Sequence, residues 1–148
     1  MRSLPASHSS DILLVDDNTL GLAARKSVLE ELGHRVKTAR SAEEGLAEFR
    51  QAQFGLVITD YKMPGMDGIE LIRQIRALRP SVPVILISGY TDALGLTEAL
   101  TGADVVIAKS ANEVSHLTRA VGRLLRRRAL SKPAASAQKV LKARSTGT

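Results

Sequence analysis

The sequence predicts an α/β protein, a doubly wound five-stranded parallel sheet with helices on both faces. Three observations carry this. Five strand-like runs, Ile12–Val15, Arg35–Ala39, Leu56–Thr59, Pro83–Ile87 and Ala103–Ala108, alternate with segments of helical spacing, the signature of repeated strand–helix units. Most of these runs are continuously apolar, as strands covered on both faces are. The chain has 148 residues, which suits one domain and can bury a sizeable core.

Each element has its own signals. Ile12–Val15 ends in Asp16-Asp17. Leu20 to Leu32 places apolar residues at 20, 24, 28 and 32, and Gly33 is a stop signal. Arg35–Ala39 is less apolar and reads as a sheet edge. Ser41 is an N-cap with Glu44 as its capping-box partner, opening a helix that carries Leu46 and Phe49. Leu56–Thr59 ends at Asp60. Residues 63–68, Met-Pro-Gly-Met-Asp-Gly, are turn chemistry, and Asp67 caps a helix expected to bury Ile69, Ile72, Ile75 and Leu78 before Pro80. The fourth strand ends at Ser88-Gly89. A glycine-interrupted helix is expected over about 92–101. The fifth strand ends at Lys109, and the last helix aligns Val114, Leu117, Val121 and Leu124.

Composition narrows the function. Hydrophobic residues are 44% and charged residues 24%, ordinary for a globular chain. There is no cysteine, which excludes disulfide scaffolds, thiolate zinc sites, iron–sulfur clusters and thiol nucleophiles. No apolar run approaches a membrane span and no signal-like segment opens the chain, so a cytoplasmic setting is expected. Aromatics are 3%, too few for a base-stacking platform. The net charge of +6 is unevenly spread. Residues 1–122 hold 13 cations and 15 acids, whereas 123–148 hold eight cations and no acid. The expected organisation is a flexible arm over 1–10, a folded domain over 11–128 and a disordered basic tail over 129–148, able to contact polyanions. The tail is too short for a DNA-binding effector domain.

In open parallel sheets, ligands bind beyond the carboxyl ends of the strands. Here those ends carry Asp16-Asp17, Asp60, Ser88 and Lys109. Each alone has an ordinary explanation as a turn or solvated residue. Together they form one chemical set. Three nearby carboxylates repel one another and call for a cation. Mg²⁺ is suited, being hard and held by one or two carboxylates with phosphate oxygens and water. A hydroxyl and an ammonium complete a site for a phosphoryl group, and an aspartate can accept that group covalently. His8, His34 and His116 lack partners at ligand or triad spacing and read as ordinary surface residues. Met63 and Met66 read as loop packing.

Leu14-Val15-Asp16-Asp17-Asn18, the stretch Thr59 to Gly68, Ser88-Gly89 and Ala108-Lys109 resemble the receiver domain of bacterial two-component response regulators, over about residues 10–128. The resemblance implies a flavodoxin-like sheet of order 2-1-3-4-5. It implies that Asp60 accepts a phosphoryl group from a sensor histidine kinase or a histidine phosphotransfer protein, and that the phosphorylated state changes contacts with a downstream protein. Asp17, Asp60 and the backbone carbonyl of Lys62 would bind Mg²⁺ directly, and Asp16 through water. Ser88 and Lys109 would hold phosphoryl oxygens. Lys62 and Tyr90 would tune the lifetime of the aspartyl phosphate. Such a module promotes its own phosphorylation and dephosphorylation and is not a turnover enzyme.

Two positions depart from the family pattern. Val106 stands where a Tyr or Phe is common, and Ser110 stands where Pro commonly follows the lysine. Without Pro, a cis peptide there is disfavoured. Both departures feed an alternative, a receiver-like docking domain that works without phosphorylation. A Mg²⁺-dependent phosphatase would need an acid two residues after its nucleophile, where Lys62 stands. A flavin-binding protein would need a phosphate-cradling loop after the first strand, where two carboxylates stand.

Overall fold

A computed structural model describes residues 10–89 and 95–147, with side chains as far as Leu130. The strands are β1 (Asp11–Val15), β2 (Arg35–Ala39), β3 (Leu56–Asp60), β4 (Val84–Ser88) and β5 (Val105–Ala108). The helices are α1 (Thr19–Glu31), α2 (Ala42–Gln51), α3 (Gly68–Leu78), α4 (Glu98–Thr101) and α5 (Glu113–Gly147). The five strands form one sheet of order β2-β1-β3-β4-β5, and every pairing is parallel. This is the flavodoxin-like order.

The two-residue alternation of the strands divides the core into two layers. Leu13, Val15, Val57, Val84 and Leu86 pack against α2 and α3 through Leu46, Phe49, Leu71, Ile72 and Ile75. Ile12, Leu14, Ile58, Ile85, Ile87 and Ile107 pack against α1 and α5 through Leu22, Leu29, Leu117, Val121 and Leu124. Burial on both faces explains why the central strands read as continuous apolar runs.

Helix caps follow the sequence closely. Ser41 Oγ accepts from Glu44 N at 3.0 Å, and the Glu44 carboxylate accepts from the backbone of Arg40 rather than of Ser41. Asp67 Oδ1 accepts from Glu70 N at 2.9 Å.

Helix faces differ from expectation in three places. On α1 the buried stripe is Leu22, Arg25 and Leu29, while Leu20 is 82% exposed. On α3 Leu71 is buried with Ile72 and Ile75, and Leu78 is exposed. On α5 Val114 is exposed, and Ala120 and Leu125 join the buried face. In the first two cases several apolar stripes fit a 3.6-residue period, and the position of the preceding loop selects among them. Of the helix expected over 92–101, residues 92–94 lie outside the described residues; the described part turns at Gly95, with φ +62°, and is helical over Glu98–Thr101 with Thr97 as its cap. The last helix continues to Gly147, so the backbone of 129–147 is helical where the sequence suggests a loose tail. No helix among the described residues is long and apolar enough to cross a membrane.

Both sheet edges carry charge. On β2, Arg35 pairs with Asp11 and Lys37 with Glu48. On β5, the Val106 N–H donates to Glu98 Oε2 at 3.1 Å.

His34 follows α1 and lies against α5, in a groove with Leu32, Val121 and Leu125. Its Nδ1 is buried without a hydrogen-bond partner, and desolvation holds the imidazole below its ordinary value of 6.5. A depressed value means that the unfolded chain takes up the proton first. Stability contributed by neutral His34 is therefore present above about pH 6.5 and lost as pH falls through the depressed value. The unfolding free energy, followed by urea titration, is expected to drop over that acid range, and His34→Gln is expected to flatten the drop.

Candidate functional site

The carboxyl ends of the central strands bring together what the sequence singles out. Asp16 continues the parity of Ile12 and Leu14 and sits at the α1/α5 side of the sheet. Asp60 ends β3, the central strand. Carboxylate oxygens of Asp16, Asp17 and Asp60 all lie within 4.8 Å of one another. Asp16 and Asp60 are buried and Asp17 is exposed. Lys109, just past β5, places Nζ 2.9 Å from Asp60 Oδ1. This is an ion pair rather than an aligned hydrogen bond, since that buried oxygen has no hydrogen-bond partner. Ser88 ends β4 and is buried, and its carbonyl accepts from Lys109 N at 3.0 Å. Lys62 is exposed on the loop two residues after Asp60. Tyr90 and His8 lie outside the described residues. His116 is exposed on α5.

The loops fix these side chains tightly. Tyr61 N donates to Ile87 O at 2.9 Å, tying the end of β3 to β4. Gly68 N donates to Tyr61 O at 2.8 Å and closes the β3–α3 loop. A Cβ at Gly68 would stand 2.2 Å from the Asp60 carbonyl oxygen. The position admits no side chain because the chain folds back directly onto the backbone of Asp60. On the same loop, Met66 N donates to Glu43 Oε2 at 3.2 Å.

One buried side chain beside the site is hidden from sequence reasoning. Arg25 of α1 donates from its guanidinium to Asp16 Oδ2 at 2.6 Å and, through Nε, to Glu113 Oε2 at 2.6 Å. Asp16 Oδ1 meanwhile accepts from Asn18 N at 3.0 Å. Burial opposes the charge on Arg25, but Glu113, Asp16 and Asp60 outweigh it and hold the guanidinium above its ordinary value. The signal in the sequence is faint: a lone arginine on a helix reads as a solvated cation.

Burial raises the Asp60 carboxyl above the usual aspartate value, and the Asp16 charge adds to this, against the lowering effect of Lys109. A buried Asp60 oxygen met only by the Lys109 ammonium, together with three crowded carboxylates, makes an all-oxygen, electron-rich donor set. That set fits a hard divalent cation.

Two outcomes follow from this geometry. Gly68→Ala is expected to cost about 1–3 kcal/mol, because neither backbone can yield cheaply; denaturant unfolding measures it. Asp60→Asn, in metal-free buffer at neutral pH, is expected to raise Tm by about 2–4 °C per kcal/mol of relieved repulsion. A raised value means that folding favours protonated Asp60, so ionised Asp60 costs stability above its folded value. The gain from the asparagine should therefore shrink as pH falls through that value, which calorimetry at several pH values would show.

Comparison with known proteins agrees with the geometry. Residues 12–121 match the family model of the response regulator receiver domain. The C4-dicarboxylate transport transcriptional regulatory protein DctD of Rhizobium meliloti is 39% identical over 104 residues, 70% of this chain and 23% of that protein. The transcriptional regulatory protein ZraR of Escherichia coli is 37% identical over 94 residues, 63% of this chain and 21% of that protein. The chain thus spans about a fifth of the length of these relatives. Among solved structures, a response regulator receiver domain protein from Clostridium thermocellum is 32% identical with a TM-score of 0.74, covering 82% of this chain and 98% of that one. The response regulator TrrA of Thermotoga maritima, solved in complex with Mg²⁺ and BeF, is 32% identical with a TM-score of 0.70, covering 77% and 97%. Sheet order, acidic pocket and sequence match converge, and the chain belongs to the family of response regulator receiver domains.

Proposed function

We propose that this domain is a phosphoacceptor signalling module in which Asp60 takes a phosphoryl group from a sensor histidine kinase or a histidine phosphotransfer protein. The observation that carries the reading is the convergence of Asp16, Asp17 and Asp60 within 4.8 Å, with Lys109 Nζ 2.9 Å from Asp60. The phosphoryl phosphorus gains a bond to an Asp60 carboxylate oxygen as its bond to the donor nitrogen breaks. The phosphohistidine, protonated on its other ring nitrogen, leaves with that electron pair as a neutral imidazole. Lys109 pairs with a phosphoryl oxygen, and the Ser88 hydroxyl donates to another. Burial of Asp60 keeps bulk water from the acyl phosphate.

Asp17, Asp60 and the carbonyl of Lys62 would hold Mg²⁺, with Asp16 acting through water. Bound there, the ion supplies charge neutralisation for the carboxylates and the transferring group. The indirect role of Asp16 is supported by its two oxygens already being engaged, one by Arg25 and one by Asn18 N. Tyr90 and Lys62 are assigned to tuning the lifetime of the product. The module works in the cytoplasm and hands its signal to a downstream protein. It is modified once per signalling event and is not a turnover enzyme. The basic tail over 129–148 offers a contact for polyanions.

Incubation with Mg²⁺ and acetyl phosphate is expected to add one phosphoryl mass to the wild type and none to Asp60→Asn, by intact-protein mass spectrometry. Lys109→Met should slow the uptake by about tenfold or more, in line with loss of one charge-stabilising donor. An unmodified wild type that still binds Mg²⁺ and also ignores phosphohistidine donors would overturn the reading in favour of a docking domain.

A further inference from the structure

Arg25 is 9% exposed at its side chain and touches carboxylates from two distant parts of the chain. Asp16 belongs to the acidic pocket, and Glu113 is the first residue of α5. We propose that Arg25 is a positioning residue that couples cation binding in the acidic pocket to the seating of the β5–α5 loop, through the ion-pair chain Asp16–Arg25–Glu113. The inference rests on the metal-dependent phosphoacceptor reading of that pocket and deepens it.

The loop of residues 109–113 is held by the pocket at both ends. At one end Lys109 pairs with Asp60, and at the other Glu113 pairs with Arg25. Between them, Ser110 O accepts from Glu113 N at 3.2 Å and Ser110 Oγ from Asn112 N at 3.2 Å. No cis peptide bond occurs among the described residues. The loop therefore has two charged anchors, and both lead to carboxylates that a divalent cation would share.

A buried guanidinium is costly to leave unpaired. Its position is consequently set by the balance between its two carboxylates. A divalent cation in the pocket draws on the charge of Asp16 and repels Arg25. Arg25 then rests more on Glu113, which is partly exposed and belongs to the loop-to-helix junction. Arg25 spans the pocket and the start of α5 directly.

Competition between two cations for one carboxylate makes a signed prediction. Arg25→Met removes the resident cation and should tighten Mg²⁺ binding about threefold or more. Glu113→Gln removes the counter-charge that shields the pocket from Arg25 and should weaken binding by about the same factor. Titration calorimetry with Mg²⁺ alone reads both. Amide hydrogen exchange over residues 110–117 should change on adding Mg²⁺ to the wild type and change clearly less in Arg25→Met, where only the Lys109 anchor remains. A purely structural arginine would alter stability without opposite shifts in affinity. Glu113→Gln lies at the rim, and decides the matter by its own direction of shift should Arg25→Met fail to fold.

Shifts in the same direction, affinities within about twofold of the wild type, or exchange over 110–117 that ignores Mg²⁺ overturn the coupling while leaving the phosphoacceptor reading intact. A wild type that binds no Mg²⁺ overturns both. Opposite affinity shifts in a protein that takes up no phosphoryl group support the coupling and overturn phosphoacceptance alone.

Discussion

Like charge gathered in one place is the constraint from which the rest of the molecule follows. Asp16, Asp17 and Asp60 stand close enough to repel strongly, and two of them are buried. Such a cluster persists only where surrounding structure prevents its members from moving apart. The parallel sheet does so, because β1 and β3 are hydrogen-bonded neighbours with Val15 level with Thr59. The cluster also needs cations. Two come from the chain itself, Lys109 against Asp60 and Arg25 against Asp16. The site is thus partly neutralised, yet still electron-rich enough to attract a hard metal.

The sheet and helices serve that arrangement in simple ways. Strand alternation sends Ile12, Leu14 and then Asp16 toward the α1/α5 layer, so an apolar strand delivers a carboxylate to the place where α1 carries Arg25. Ile85 and Ile87 pack on the same layer, and Ser88, next in line, turns toward the other. The pocket is assembled from side chains of both parities at the rim, which lets groups from separate strands face one another without interrupting the apolar layers beneath. Arg76 plays a comparable mechanical role at the far end of the sheet, where it donates to the Gly102, Pro80 and Val82 carbonyls and pairs with Asp104.

Much of this arrangement is legible in the amino-acid sequence. Continuous runs such as Leu56–Thr59 and Val84–Ile87 suit strands covered on both sides, and their polar terminal residues mark the rim. Ser41, Asp67 and Gly33 announce helix ends by local chemistry that tertiary packing does not alter. What is not legible depends on distance. Periodicity along α1 offers the stripe 20/24/28/32, but the preceding Asp16-to-Asn18 turn rotates the helix so that Leu22, Arg25 and Leu29 face inward. A charge on a buried face looks like a charge on a surface until its partners are known, and Glu113 lies 88 residues away. Val114 likewise matches the stripe of α5 yet sits in its first turn, beyond the reach of the sheet.

The charged sheet edges have a consequence for behaviour at high concentration. A parallel sheet ends in two strands whose unpaired backbone groups can recruit strands from other molecules. On β2 that outer border is flanked by Arg35 and Lys37, each engaged with an acid, so an incoming strand would have to displace ion pairs and bury charge. On β5 the Glu98 side chain already occupies the Val106 N–H that such a strand would need. The domain is thereby armoured against strand-by-strand self-association and against the fibrillar aggregates that grow from it, even though its three central strands are among the most apolar segments in the chain.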